Sequence, residues 1–293
     1  MIIRKDDFWF MGLKGSWRAP TWKALFSTLI LVSGYYGLLY WLRHYYVDFE
    51  FHIPGFSVYM LGYVIALLFY FRLNNSYYRW NDGYKSIAYL RANMDTFTMK
   101  VNAYLAGHPE DQKYLGTMMK NFARSMRDIV RNFQDPKNMI EAESGFMSKI
   151  TNLYHLPSRI NGLMEERLNK LYMDGKLTRV QFYDLNRCIS KNAEQLSAAE
   201  ALKGTPPPKP YIIHIRGFLI SYMLMIPFGF TEEYSVWMLL FLVTFFFFYS
   251  GLEIVSEEVE DPFGFDPDDL PVEPLTADIE NRIDDNLKIK THA

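Results

Sequence analysis

Residues 54–83, PGFSVYMLGYVIALLFYFRLNNSYYRWNDG, change solvent part-way along their length. From Ile53 to Phe71 there is no charged residue. That is about nineteen residues, enough at about 1.5 Å of rise each to cross roughly 30 Å of hydrocarbon as a helix. From Arg72 the same run acquires Asn74, Asn75, Arg79, Asp82 and Lys85. One continuous helix is therefore expected to leave a bilayer and stand in water, which suits it to line a pathway from lipid to cytosol.

Working outward, Ala24–Leu42 is a second charge-free run of the same length and reads as the first span. Residues 1–23 mix Arg4, Lys5, Lys14, Arg18 and Lys23 with Phe8, Trp9, Phe10, Trp17 and Trp22, a mixture that suits the cytoplasmic headgroup layer. They lack the apolar core and cleavage site of a signal peptide. Between Arg72 and Lys209 no window is apolar enough to span, so residues 72–210 read as a water-exposed helical layer. Four stripes at helical spacing mark its helices. The first is Ile87, Leu90, Met94, Phe97, Val101 and Leu105, and the second is Leu115, Met118, Phe122, Met126, Ile129 and Phe133. The third, Ile160, Met164, Leu168 and Leu171, follows a cap expected at Pro157-Ser158. The fourth, Phe182, Leu185, Ile189, Leu196, Ala199 and Leu202, follows a capping box of Thr178 and Gln181 and is interrupted by Asn192. Lys203-Gly204 and the prolines 206–208 stop that helix.

The chain then re-enters the membrane as two apolar arms, 211–230 and 235–252, around Thr231-Glu232-Glu233, leaving 253–293 as an acidic segment and tail. Arg216 lies within the first arm and either snorkels to the surface or faces a polar cavity. The loops after the first span and between the third and fourth hold no Lys or Arg beyond Arg43. By the positive-inside rule both termini and the middle are cytoplasmic, giving a multi-pass protein of the cell membrane with four spans, 24–42, 53–71, 211–230 and 235–252.

The net charge is −2 with no dominant basic patch, so nucleic acid is not an expected partner. The single cysteine, Cys188, excludes an intrachain disulfide framework. No enzyme motif stands out. The six histidines are scattered, none forms a metal-binding pair, and no phosphate-binding glycine loop is present. One segment has ligand-like chemistry: 256–273, SEEVEDPFGFDPDDLPVE, gathers seven acids before Leu270 around two prolines and Gly264. Carboxylates spaced across a turn suit a hard divalent cation such as Ca²⁺, and equally suit helix capping and pairing with neighbouring bases.

Three stretches together resemble the bestrophin family. Arg72 and Asn74 followed by Ser76-Tyr77-Tyr78-Arg79-Trp80-Asn81-Asp82-Gly83-Tyr84-Lys85 is similar to the family's segment after its second span. Glu200, Gly204-Thr205-Pro206-Pro207-Pro208, Tyr211 and His214 resemble the approach to its third span, and Glu260-Asp261-Pro262-Phe263-Gly264-Phe265-Asp266-Pro267-Asp268-Asp269-Leu270-Pro271 resembles its acidic signature. The resemblance covers nearly the whole chain. It implies an all-α protein with four transmembrane helices and a cytosolic helical layer, assembled as a homopentameric ion channel that passes chloride or other inorganic anions through a hydrophobic neck. The neck positions then fall on Phe56, Met60 and Val64, and a shift of one residue selects Tyr59, Tyr63 and Leu67 instead. A second, cytosolic constriction falls near Val180. In calcium-regulated members the matching ligands are Glu258, Asp261, Asp266 and Asp269, although here Phe265 and Pro267 interrupt the acidic block, which favours a brace between subunits. No cofactor is required, Ca²⁺ being the one candidate, and the partners are lipids, permeant ions and further copies of the chain. A cation-selective channel of the same fold, and a membrane-anchored scaffold without permeation, are the alternatives.

Overall fold

The computed structural model describes residues 20–45, 53–151, 153–229, 236–266 and 269–287. In chain order the α-helices are α1 (Pro20–Tyr45), α2 (Gly55–Tyr104), α3 (Pro109–Val130), α4 (Phe146–Ile150), α5 (Leu156–Met173), α6 (Arg179–Gly204), α7 (Lys209–Met225), α8 (Val236–Glu260) and α9 (Val272–Leu287). Short 3-10 turns stand at Pro136–Asn138 and Ile226–Gly229, and among the described residues there is no strand. The N-terminal interfacial segment up to residue 19 and the Thr231-Glu232-Glu233 hairpin lie outside the described residues.

The chain divides into two units. The first takes Met1–Tyr77 and Pro207–Glu260, and the second takes Tyr78–Pro206 and Asp261–Ala293. The solvent-changing stretch is one helix of 50 residues, α2, which contributes to both units because nothing between Gly55 and Tyr104 breaks it.

In the first unit, α1 packs on α8, and the core is Val32, Tyr36, Val58, Ile65, Phe69, Ile215, Leu219, Tyr222, Ile226, Leu242 and Phe246. Tyr35 and Tyr36 donate their hydroxyls to the carbonyls of Leu224 and Met223, each at 3.0 Å, which ties α1 to α7. α2 and α7 approach closely at Gly62, where a Cβ would meet the Tyr222 hydroxyl at 2.5 Å. Among the described residues three helices, Gly55–Tyr104, Lys209–Gly229 and Trp237–Glu260, are long and apolar enough to cross a membrane. The expected first span is helical within α1, which opens on Pro20, where a missing N–H costs nothing. α8 runs on to Glu260, about two turns past the expected end of the fourth span, so Glu257, Glu258 and Glu260 are helical residues rather than turn residues.

The second unit realises the four stripes. Ile87, Leu90, Met94, Phe97, Val101 and Leu105 are at most 2% exposed, and they meet Leu115, Met118, Phe122 and Met126 of α3 in one core with Ile160, Met164 and Leu168 of α5 and Leu185 and Ile189 of α6. Phe133 falls beyond the end of α3 and is exposed. α9 covers α3 with Ile279, Ile283 and Leu287, and Gly116 leaves room for the Leu287 methyl. The interruption at Asn192 is satisfied internally, because Asn93 Nδ2 donates to Asn192 Oδ1 at 2.7 Å. The capping box at Thr178 forms as expected. The cap of α5 does not. His155 is the N-cap, and its Nδ1 accepts the Ser158 N–H at 3.2 Å while Nε2 lies 2.7 Å from Glu200 Oε1. Pro157 and Ser158 are already the second and third residues of the helix, so Ser158 lies three positions past the cap.

Candidate pore-lining helix and the junction of three motifs

Along the first half of α2 the buried residues are Val58, Ile65, Phe69, Arg72 and Ser76, a stripe at spacings of seven, four, three and four. At about 100° per residue, Phe56, Met60, Tyr63 and Leu67 point within about 30° of the opposite direction, with Val64 and Tyr59 on either side of it. All six are 43–73% exposed in the single chain. The two candidate stripes thus share one open, apolar half of the helix. Val180 sits in the first turn of α6 and is 77% exposed.

The stripe ends in charge. Arg72, 1% exposed, pairs through Nη1 with Glu260 and through Nε with Glu253 at 3.6 Å. Glu253 also accepts from Arg216 Nε at 2.9 Å, and Arg216 Nη2 donates to Glu257 at 2.7 Å. Arg216 is thus held by two carboxylates of α8, and Glu253, which sequence reasoning passed over, links two guanidiniums from two different helices.

In the second unit the three motif stretches converge. Arg79 donates to the carbonyls of Leu202 at 2.7 Å and Thr205 at 3.0 Å, satisfying the end of α6 where the following prolines have no N–H to offer. Gly83 lies under Pro262 and Phe263, whose ring atoms would stand 2.9 and 3.3 Å from a Cβ there, so this contact admits only glycine. Lys203 closes the junction by donating to Asp261 Oδ2 at 2.7 Å. Arg131, also absent from the sequence reading, holds the turn from below: it donates to the carbonyls of Phe263 and Leu270 and reaches both oxygens of Glu273 at 3.0 and 2.9 Å, with its guanidinium over the Phe265 ring.

The acidic turn is occupied with itself. Asp261 Oδ1 accepts the Phe263 N–H, and Asp269 Oδ2 accepts the Asp266 N–H at 2.6 Å. A Cβ on Gly264 would meet Asp269 Oδ2 at 2.6 Å. Among the described residues no three His, Cys, Asp or Glu side chains converge as a metal-ligand set. Glu258 belongs to the first unit, on α8, whereas Asp261, Asp266 and Asp269 belong to the second. Asp261 is thus held by Lys203 and the Phe263 N–H, and Asp269 Oδ2 by the Asp266 N–H, so these oxygens serve the turn itself.

Burial, helped by the neighbouring Asp266 and Asp261 carboxylates, pushes the Asp269 carboxyl up to about 6. An ordinary aspartate titrates near 4. Between these values the folded chain keeps a proton that the unfolded chain has released, so the contribution of this group falls as the pH rises through that window and is level above it. Asp269→Asn keeps an acceptor for the Asp266 N–H and should remove that decline. Thermal unfolding in detergent at about pH 4, 6 and 8 tests this, and an unchanged pH slope would refute it.

A match to the family described as Bacterial/Fungal Bestrophin protein spans residues 1–285. The chain belongs to the bestrophin family. Among curated proteins, this bestrophin is 24% identical over 287 residues to the voltage-dependent anion channel-forming protein YneE of Salmonella typhi, covering 96% of this chain and 92% of that one. It is 28% identical to the voltage-dependent anion channel-forming protein alr2987 of Nostoc over 139 residues, 47% of this chain and 45% of that protein. Among solved structures, a bacterial bestrophin homologue from Klebsiella pneumoniae superposes with a TM-score of 0.82 at 19% identity, covering 90% of this chain and 98% of that one. A point mutant of that homologue gives 0.84 over 90% and 99%. The all-helical fold is therefore a bestrophin fold. The family and the three apolar helices make the chain a membrane protein and not an enzyme.

Proposed function

We propose that this bestrophin is a passive anion channel of the cell membrane, a homopentamer that conducts chloride through a hydrophobic neck formed by Phe56, Met60 and Val64 of each α2. The observation that supports it most is the open apolar half of α2, set opposite a stripe that is buried against the other spanning helices. Five such helices around an axis would enclose an apolar constriction, which acts by narrowness and dewetting because it offers an ion no ligand. The relatives' names favour anions. Val180, exposed at the first turn of α6, is the candidate for a second constriction on the cytosolic side. Four spans with both termini cytoplasmic complete the reading, and α1 supplies the fourth. Conduction needs no resident metal in this scheme, and the acidic turn serves as a brace.

The deciding experiment is the reversal potential of the purified protein in planar bilayers under a KCl gradient, repeated with NaCl and with a large impermeant anion. Reversal near the chloride potential is expected. Reversal near the potassium value would keep the pore and invert its selectivity, and silence from a chain that does not form pentamers would favour a scaffold. Met60→Ala and Val64→Ala should change conductance in assembled protein, and unchanged currents would remove the neck assignment. Chelators should leave the current as it is.

A further inference from the structure

Within about 50° of the middle of the open half of α2 stand, in chain order, Phe56, Met60, Tyr63, Leu67, Tyr70, Phe71 and then Asn74. The first six are exposed aromatic or aliphatic side chains. Asn74 lies about five turns beyond Phe56 on the same line of the helix, and about 10 Å beyond Leu67. It is the first amide on this face. Its neighbour Asn75 is turned about 100° further round, to the edge of the open half.

The nearest cation does not serve that face. Arg72 belongs to the buried stripe, is 1% exposed and is paired with Glu253 and Glu260. The Asn74 amide, in contrast, is only partly covered. Neither its oxygen nor its nitrogen is closed to solvent, and no described residue shares a hydrogen bond with it. Such an amide carries two N–H donors without a charge. An ion that has crossed an apolar constriction arrives short of water. A neutral donor at the exit can replace part of its hydration and still let it go, and conduction requires both.

We infer that Asn74 is an anion-selecting residue of α2, its Nδ2 hydrogens donating to chloride or another small inorganic anion as the ion leaves the apolar stretch. The inference rests on the channel reading above and adds to it a polar ring that the neck itself lacks. A cation would use the amide oxygen instead, so the test removes the donors and keeps an oxygen.

That test is the reversal potential and chloride conductance of the assembled full chain in planar bilayers under a KCl gradient, for the wild type and four variants. Asn74→Asp keeps the size of the side chain and removes both donors, and it should move the reversal from the chloride potential toward that of potassium. Asn74→Leu keeps the size and removes all polarity. It should lower chloride conductance at least about tenfold, the scale of one hydrogen bond to a charged group. Asn75→Asp and Asn75→Leu make the same changes off the face and should leave both quantities near the wild-type values. Reversal of the wild type near potassium would overturn the anion reading and this inference together. Reversal of the wild type near chloride, with the two aspartate variants shifted alike or the two leucine variants conducting alike, would overturn the inference alone.

Discussion

Glu253→Ala should destabilise this bestrophin by about 3–5 kcal/mol, the cost of breaking a buried ion pair by removing one partner. Glu253 is 6% exposed and stands between Arg216 and Arg72, and Arg72 is buried without any route to solvent of its own. Removing the carboxylate leaves the buried Arg72 with Glu260 alone and Arg216 with the exposed Glu257 alone, in a unit whose core is otherwise hydrocarbon and aromatic. Glu257 is the internal control. It meets the same Arg216, but its side chain is 61% exposed, so Glu257→Ala should cost no more than about 1 kcal/mol. Thermal unfolding of both variants in the same detergent measures the difference, and equal losses would mean that the network contributes nothing beyond surface pairing.

Arg131→Ala should have a comparable effect in the second unit, again about 3–5 kcal/mol. The side chain is 5% exposed and serves the carbonyls of Phe263 and Leu270 together with Glu273. Without it, the turn that carries Asp261, Gly264 and Asp269 loses the hydrogen bonds it receives from the residue that caps α3, and Glu273 loses its bidentate partner. Arg131→Lys should not rescue, because a point-like ammonium cannot reach two carbonyls and a carboxylate at once, whereas a planar fork can. Unfolding midpoints, with limited proteolysis between Asp261 and Leu270, read out both effects. A lysine variant as stable and as protease-resistant as the wild type would show that charge alone suffices.

The parts of this fold that are legible in sequence are those with a local period or a local breaker. The charge-free run before Arg72 has to be a helix once it lies in hydrocarbon, and the stripes from Ile87 to Leu105 and from Ile160 to Leu171 announce their buried faces through spacing alone. Thr178 and Gln181 mark a helix start because both halves of a capping box lie within one turn. The rest depends on encounters between distant residues. Glu253 resembles an acid at the foot of an apolar run until α8 turns it toward Arg216, 37 positions away. Arg131 is one of several bases around α3, and nothing local marks it as the one that meets Phe263. His155 escapes notice as a cap because its role requires the tautomer with a free Nδ1, which Glu200 on α6 favours by facing Nε2. On α2 the period identifies the open half but cannot rank two neighbouring stripes, since both lie away from the buried one.

The order in which the two units are threaded has a consequence for how this protein is made. The chain enters the first unit, builds most of the second, returns for α7 and α8, and only then supplies the residues after Glu260 that complete the second. On the ribosome, Leu115, Met118 and Phe122 therefore wait without their α9 cover while the two long apolar helices α7 and α8 are being synthesised, and the Gly83 contact cannot close until Pro262 and Phe263 emerge. Maturation of the second unit is thus tied to synthesis of α7 and α8 in the first, and a nascent chain stalled before residue 261 would display an apolar surface of the kind that chaperones and proteases recognise.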